Sequence, residues 1–154
     1  MKDLGLLHYF LGLEVWQNYD NIILNQGKYT LHILKRFGMS NRRPMSSPME
    51  TNLHKLKEAV VESPSIDSTL YRQMIGSLMC FVNIRPNICY AVHALSQFMC
   101  EPKEIHLVAV KHIMRYLQGT LNFGLKYKKV GLDLHGFTDR QEKYFRMLFQ
   151  FRIL

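Results

Sequence analysis

The spacing of apolar residues in this chain changes from one stretch to the next, and each change predicts a change of backbone. Residues 8–16, HYFLGLEVW, are aromatic and β-branched enough for a strand. The polar stretch 17–21 supplies a turn and residues 22–25 a second short strand, so a β-hairpin comes first. In QGKYTLHILKRFG the period lengthens to that of a helix. Tyr29, Ile33, Leu34 and Phe37 share one face, Lys28, Lys35 and Arg36 point to solvent, and Gly38 can take the left-handed stop. From 39 to 68 no period is sustained beyond a short turn over 53–61, and Pro44, Pro48 and Pro64 among Ser, Asn and Glu mark a long surface connection.

Helical spacing then returns in three segments. The first, 70–84, has Asp67 or Ser68 as its cap; the second, PNICYAVHALSQFMC, opens with Pro86 in the first helical position; the third, 103–118, ends at Gly119. The second contains no Asp, Glu, Lys or Arg, which predicts burial on most sides between its neighbours. After Gly119, period two resumes at 123–128 and 132–138, two strands joined by a turn at 129–131. The succession of hairpin, helices and strands predicts an α+β fold without internal repeats.

With 47% hydrophobic and 12% aromatic residues, the 154-residue chain has the apolar surface for a real core, which sets disorder aside. Its 20 Lys and Arg against 12 Asp and Glu leave a charge of +8, suited to an anionic partner such as nucleic acid or an acidic membrane. Cys80, Cys89 and Cys100 fit no zinc or redox spacing and predict a reducing compartment. Cys89 and His93, four apart on a helix, have the geometry of half a metal site, but no second pair accompanies them and a packed Cys beside a hydrogen-bonded His is the better reading. The apolar run 4–13 after Lys2 is interrupted by Asp3 and His8, is followed by Glu14 and Trp16 where small residues would mark a cleavage site, and is shorter than the roughly 20 residues of a membrane span. An intracellular, cytoplasmic or nuclear protein, neither secreted nor membrane-spanning, is expected.

The stretch RPNICYAVHALSQFMCEPKEIHLVAVKHIMRYLQGTLNFGLKY resembles the most recognisable segment downstream of the polymerase active site in Pol polyproteins of copia-type retrotransposons. MKDLGLLHYFLGLEV, LNQGKYTLHILKRFGM and YRQMIGSL resemble upstream segments in the family's order, so the resemblance covers about residues 1–139. It implies the end of a reverse transcriptase running into ribonuclease H. Residues 1–25 would close the palm with a primer-grip-like hairpin, 26–38 form the first thumb-like helix, 39–69 a surface connection, and 70–120 a thumb-like three-helix unit. Residues 121–139 would be the first strands of an incomplete ribonuclease H-like sheet, orphaned from their partners, and 140–154 an unmatched tail whose Phe145, Leu148, Phe149 and Phe151 favour poor solubility.

The same resemblance implies the site residues. Tyr9, Phe10, Leu11 and Gly12 resemble the primer grip, which aims a primer end at the metal site; without the resemblance the residues favour a core hairpin. Between 103 and 129 six cations face Glu104 alone, and Lys111, Arg115 and Gln118 recur opposite a packing face of Val110, Ile113, Met114 and Leu117. Lys111, Arg115, Lys126 and Lys128 are therefore expected on a nucleic-acid backbone, a solvated helix face being the plainer alternative. Asp139 in HGFTD resembles the first of the ribonuclease H carboxylates that hold magnesium in the parent enzyme, but RQEKYFRMLFQFRIL follows where a second acid belongs, so it reads as a vestige. The polymerase carboxylates of the family's Tyr-Val-Asp-Asp motif would lie before MKDLG, and Asp3 is no substitute for them. The expectation is a degenerate, non-catalytic fragment without a cofactor of its own, retaining at most weak, non-specific binding of an RNA–DNA or DNA duplex. A domesticated nucleic-acid- or protein-binding module, and a membrane-surface protein using the tail's Lys143, Arg146 and Arg152, are the alternatives.

Overall fold

Two positive backbone angles decide how the chain begins. The computed structural model describes residues 8–19, 21–49, 63–128 and 152–153. Within the stretch expected as a single strand, Leu11 (φ 49°) and Gly12 (φ 82°) both occupy the left-handed region, so β1 (Tyr9–Phe10) turns straight back into β2 (Leu13–Gln17) with Phe10 opposite Leu13. Two central residues with φ above zero are the mark of a type I′ turn, whose twist matches that of the strands it joins. β2 then pairs with β3 (Asn21–Asn25), so the expected hairpin is a three-stranded antiparallel meander.

The helices follow the sequence pattern more closely. α1 (Gly27–Arg36) buries Ile33 and Leu34, half-buries Tyr29 and Phe37, and leaves Lys28, Lys35 and Arg36 toward solvent. It stops at Gly38, where Gly38 N donates to Lys35 O and Met39 N donates to Leu34 O at 2.7 Å. α2 (Ser68–Met79) is capped by Asp67, whose carboxylate accepts the Thr69 N–H at 2.8 Å. It ends at Met79 and not at residue 84, because Pro86 holds Arg85 outside the helical region (φ −120°, ψ 72°) and the chain before it tightens into i→i+3 turns such as Phe81 N to Leu78 O. α3 (Pro86–Ser96) buries Ile88, Ala91, Val92 and Leu95 but leaves Tyr90 70% exposed, so it is buried on one side where burial on most sides was expected. α4 (Glu104–Gly119) incorporates Gly119 and caps at Thr120.

The four described helices enclose the core, in which Tyr71, Phe81, Ile75, Leu78, Ile88, Leu95, Ile113 and Met114 are fully buried. The Tyr71 hydroxyl donates to Leu95 O at 2.7 Å and ties α2 to α3. Arg85, also buried, donates to Thr120 O (2.9 Å), Thr120 Oγ1 and Phe123 O, satisfying carbonyls at the C-terminal end of α4. Burial lowers the pKa of this guanidinium, opposed by the Tyr116 hydroxyl.

The strand after α4 corrects the expectation of an orphaned second sheet. β4 (Leu125–Lys128) pairs antiparallel with β3, from Leu24 opposite Leu125 to Asn21 opposite Lys128, and so extends the hairpin sheet. Gly124 is needed at its entry: a Cβ there would lie 2.3 Å from Leu24 O. A short β5 (Arg152–Ile153) pairs with β4, which brings two residues of the expected unmatched tail into the sheet. The sheet order is β1-β2-β3-β4-β5 throughout, and the fold is α+β. The predicted strand at 132–138, its turn, and the short turn over 53–61 lie outside the described residues.

Candidate nucleic-acid interface

The hairpin tip is where the expected primer-grip residues meet solvent. Tyr9 and Phe10 are about half exposed and Leu11 is 82% exposed. A leucine held in the left-handed region costs roughly 1–2 kcal/mol, so Leu11 stands at a strained and outward-facing position.

Behind the tip, Glu14 on β2 is buried and does two things. Its Oε2 accepts the Lys28 backbone N–H at 3.2 Å, and its Oε1 lies 3.6 Å from Lys28 Nζ. Gln26, the residue at the cap position of α1, makes no side-chain capping bond, so Glu14 supplies the missing acceptor from a neighbouring strand. Lys28 Nζ also stands 5.8 Å from the centre of the Tyr9 ring, linking hairpin and helix through one cation.

Between the tip, the first turns of α1 and the turn at 80–84 lies a groove of about 720 Å³, lined by Tyr9, Leu11, Leu13, Lys28, His32 and Asn83 among others. Burial, reinforced by a hydrogen bond to Cys80, pushes the Tyr29 phenol on its wall up to about 12, so this hydroxyl keeps its proton at neutral pH. Gln26 also lines the groove, 5% exposed; its Nε2 donates to Cys80 O at 3.2 Å and its Oε1 has no hydrogen-bond partner among the described residues.

The cationic face of α4 is arranged differently from the expectation. Lys111 is exposed, but Arg115 Nε donates to Arg43 O at 2.7 Å, Gln118 Nε2 donates to Ser40 O, and His112 Nε2 lies 3.0 Å from Ser47 O. Met45 N donates back to Arg115 O at 3.3 Å. Residues 39–49, part of the expected surface connection, are thus a strap laid along α4. Strap and helix enclose a second groove of about 450 Å³, lined by Phe37, Met39, Met45 and Val108 with Arg42, Lys111, His112 and Arg115.

The expected site residues therefore fall into two places. Tyr9, Leu11 and Gly12 line the first groove and Lys111 and Arg115 the second, and the two share no lining residue. Lys126 sits on β4 opposite Ile23 and Arg152 and lines neither of these two grooves, and Lys128 stands opposite Asn21 in the sheet. Asp139 lies outside the described residues. His93 Nδ1 is 2.8 Å from Cys89 O and 3.4 Å from Cys89 Sγ, the hydrogen-bonded arrangement preferred over a half metal site. Among the described residues no three of His, Cys, Asp and Glu could hold a metal ion, and no helix is long and apolar enough to cross a membrane. Sequence reasoning missed Glu14, Gln26 and Arg42; an acid two residues after a tight turn and ahead of a helix without a capping residue would have been the signal for Glu14.

Comparison with known proteins decides the family. The chain is 41% identical over 141 residues to the retrovirus-related Pol polyprotein from transposon RE1 of Arabidopsis thaliana, and 39% identical over 134 residues to that from transposon RE2. Over most of its length the chain is a relative of the Pol polyproteins of copia-type retrotransposons. The alignments cover 90% and 86% of this Pol-related chain but only 9% of each polyprotein. An uncharacterised mitochondrial protein of the same plant is 36% identical over 140 residues, 57% of its length. No family model and no solved structure matches.

Proposed function

We propose that this Pol-related chain is the part of a reverse transcriptase that holds a template-primer duplex, acting by binding and without chemistry of its own. The observation that carries this reading is the strained, exposed hairpin tip of Tyr9, Phe10 and Leu11 beside a groove that Lys28 lines, within a sequence that keeps the Pol order. An aromatic, rigid tip suits a sugar-phosphate chain and a terminal base. The helical unit takes the place of the thumb, with Lys111 and Arg42 toward the phosphates. Asp139, the one residue here that resembles a ribonuclease H carboxylate, is given no role in this reading.

Fluorescence anisotropy with a labelled RNA–DNA hybrid at several salt concentrations tests the reading. Affinity should fall steeply with salt and be indifferent to sequence. Lys111→Glu should flatten the logarithmic salt slope by about one unit, the share of a single phosphate, and Tyr9→Ala with Phe10→Ala should weaken binding roughly tenfold at fixed slope. Lys35→Glu, on the exposed face of α1 and outside both grooves, is the control for net charge. Equal effects of Lys35→Glu and Lys111→Glu, with no effect at the hairpin, would refute the proposal.

A further inference from the structure

The groove behind the hairpin holds a buried acceptor that nothing in the described chain satisfies. Gln26 spends its amide N–H on Cys80 O while Oε1, in a residue 5% exposed, is left without a donor. An acceptor in that position is costly unless a partner arrives. The groove's walls are flat or aliphatic at Tyr9, Leu13 and Ile84, and polar at Asn83, His32 and Lys28. We propose that it is a pocket for one unpaired nucleobase, whose exocyclic amine, as in adenine or cytosine, donates to Gln26 Oε1 while the base lies against Tyr9.

Each part of the lining argues for that class of ligand. A purely apolar ligand would fill the walls and leave Oε1 unsatisfied. An anionic group would be repelled by the same oxygen. A nucleobase brings a flat face for the Tyr9 ring, an amine for Gln26 and ring nitrogens for the Asn83 amide, while its phosphodiester has a cation in Lys28. The roughly 720 Å³ lies within the usual range of ligand pockets. Tyr29 adds a protonated hydroxyl to the wall. The inference rests on the template-primer reading only for the source of the base, an end frayed from the duplex held beside the hairpin.

The test uses the ¹⁵N-labelled full chain titrated with adenosine and with purine riboside, which lacks the amine. Adenosine should shift the side-chain amide signals of Gln26 and Asn83 and bind about fivefold more tightly than purine riboside, the worth of one hydrogen bond. Gln26→Met should erase that preference. Should Gln26→Met fail to fold for want of its bond to Cys80, Tyr9→Ala, at a ring 54% exposed, is the second variant and should weaken both nucleosides alike. Equal affinity for the two nucleosides in the unmodified chain, or shifts that avoid Gln26, would overturn the pocket. Adenosine binding without hybrid binding would overturn the template-primer reading alone, and hybrid binding without adenosine binding would overturn the pocket alone.

Discussion

Removing the Glu14 carboxylate should loosen the joint between hairpin and helix. In Glu14→Ala the Lys28 backbone N–H, one of the donors at the start of α1 that the helix itself leaves unpaired, loses its side-chain acceptor, and no capping bond from Gln26 replaces it. Loss of a cap costs about 1 kcal/mol, and loss of a negative charge beside a helix N-terminus adds about 0.3–1 kcal/mol. The ion pair with Lys28 adds little, because that lysine side chain is 74% exposed and solvent screens it. The total is about 1.5–2 kcal/mol, read as a lower urea midpoint by far-ultraviolet circular dichroism at unchanged slope. Glu14→Gln keeps an acceptor and loses the charge, so it should cost less than half as much. Lys28→Ala, which keeps the backbone bond, should cost less still. A Glu14→Ala midpoint within error of the unmodified chain, or a Lys28→Ala effect as large as that of Glu14→Ala, would refute the assignment of Glu14 as the cap of α1.

Two further outcomes follow from buried groups. Arg85→Met should destabilise by about 2–3 kcal/mol in the same urea assay, because Phe123 O and Thr120 Oγ1 lose the guanidinium as donor and Thr120 O keeps only the Phe123 N–H, and Arg85→Lys should recover part of the loss. In alkali the Tyr29 phenol, held at about 12 when folded against 10 when unfolded, keeps a proton that the unfolded chain has released, so stability is full below pH 10 and falls as pH rises toward 12. Urea midpoints between about pH 9 and 11 would measure the decline, and Tyr29→Phe should remove its share, leaving that of Tyr71, which burial raises further.

The helices were legible because each carries its own punctuation. Asp67 caps α2, Pro86 opens α3 and Gly38 closes α1, all local signals that tertiary packing had no reason to override. The turn at Leu11 and Gly12 was hidden because Leu-Gly is not the Asn-Gly or Asp-Gly pair that announces a type I′ turn, and HYFLGLEVW has the composition of one strand. The partnership of β3 with β4 was hidden for another reason. Period-two alternation says which face of a strand is buried but not which distant strand it joins, and Leu24 and its partner Leu125 lie at opposite ends of the described fold's sequence. Gly124 was the one local hint, as a glycine at a strand's entry marks close approach of another backbone. At the candidate site the acceptor at Gln26 could not be read from a sequence that only says an amide is there.

The strap along α4 changes what the basic charge of the chain can do. Arg115 was expected with Lys111, Lys126 and Lys128 on a nucleic-acid backbone; its Nε donates to Arg43 O while Lys111 stands exposed at the rim of the second groove. Reversing the two charges should therefore produce different results. Lys111→Glu removes an exposed cation, so it should flatten the salt slope and leave the urea midpoint within about 0.5 kcal/mol. Arg115→Glu removes the same charge and also releases the Arg43 carbonyl, so the midpoint should fall by about 1 kcal/mol and Arg42, carried on the strap, should lose its fixed place beside Lys111. Its salt slope should then flatten by more than that of Lys111→Glu, because one substitution disperses two cations. Measuring midpoint and slope for both variants on the same hybrid separates the cases. If Arg115→Glu left the midpoint unchanged and matched Lys111→Glu in slope, the strap would be irrelevant to the interface and the basic face of α4 would be an ordinary solvated one.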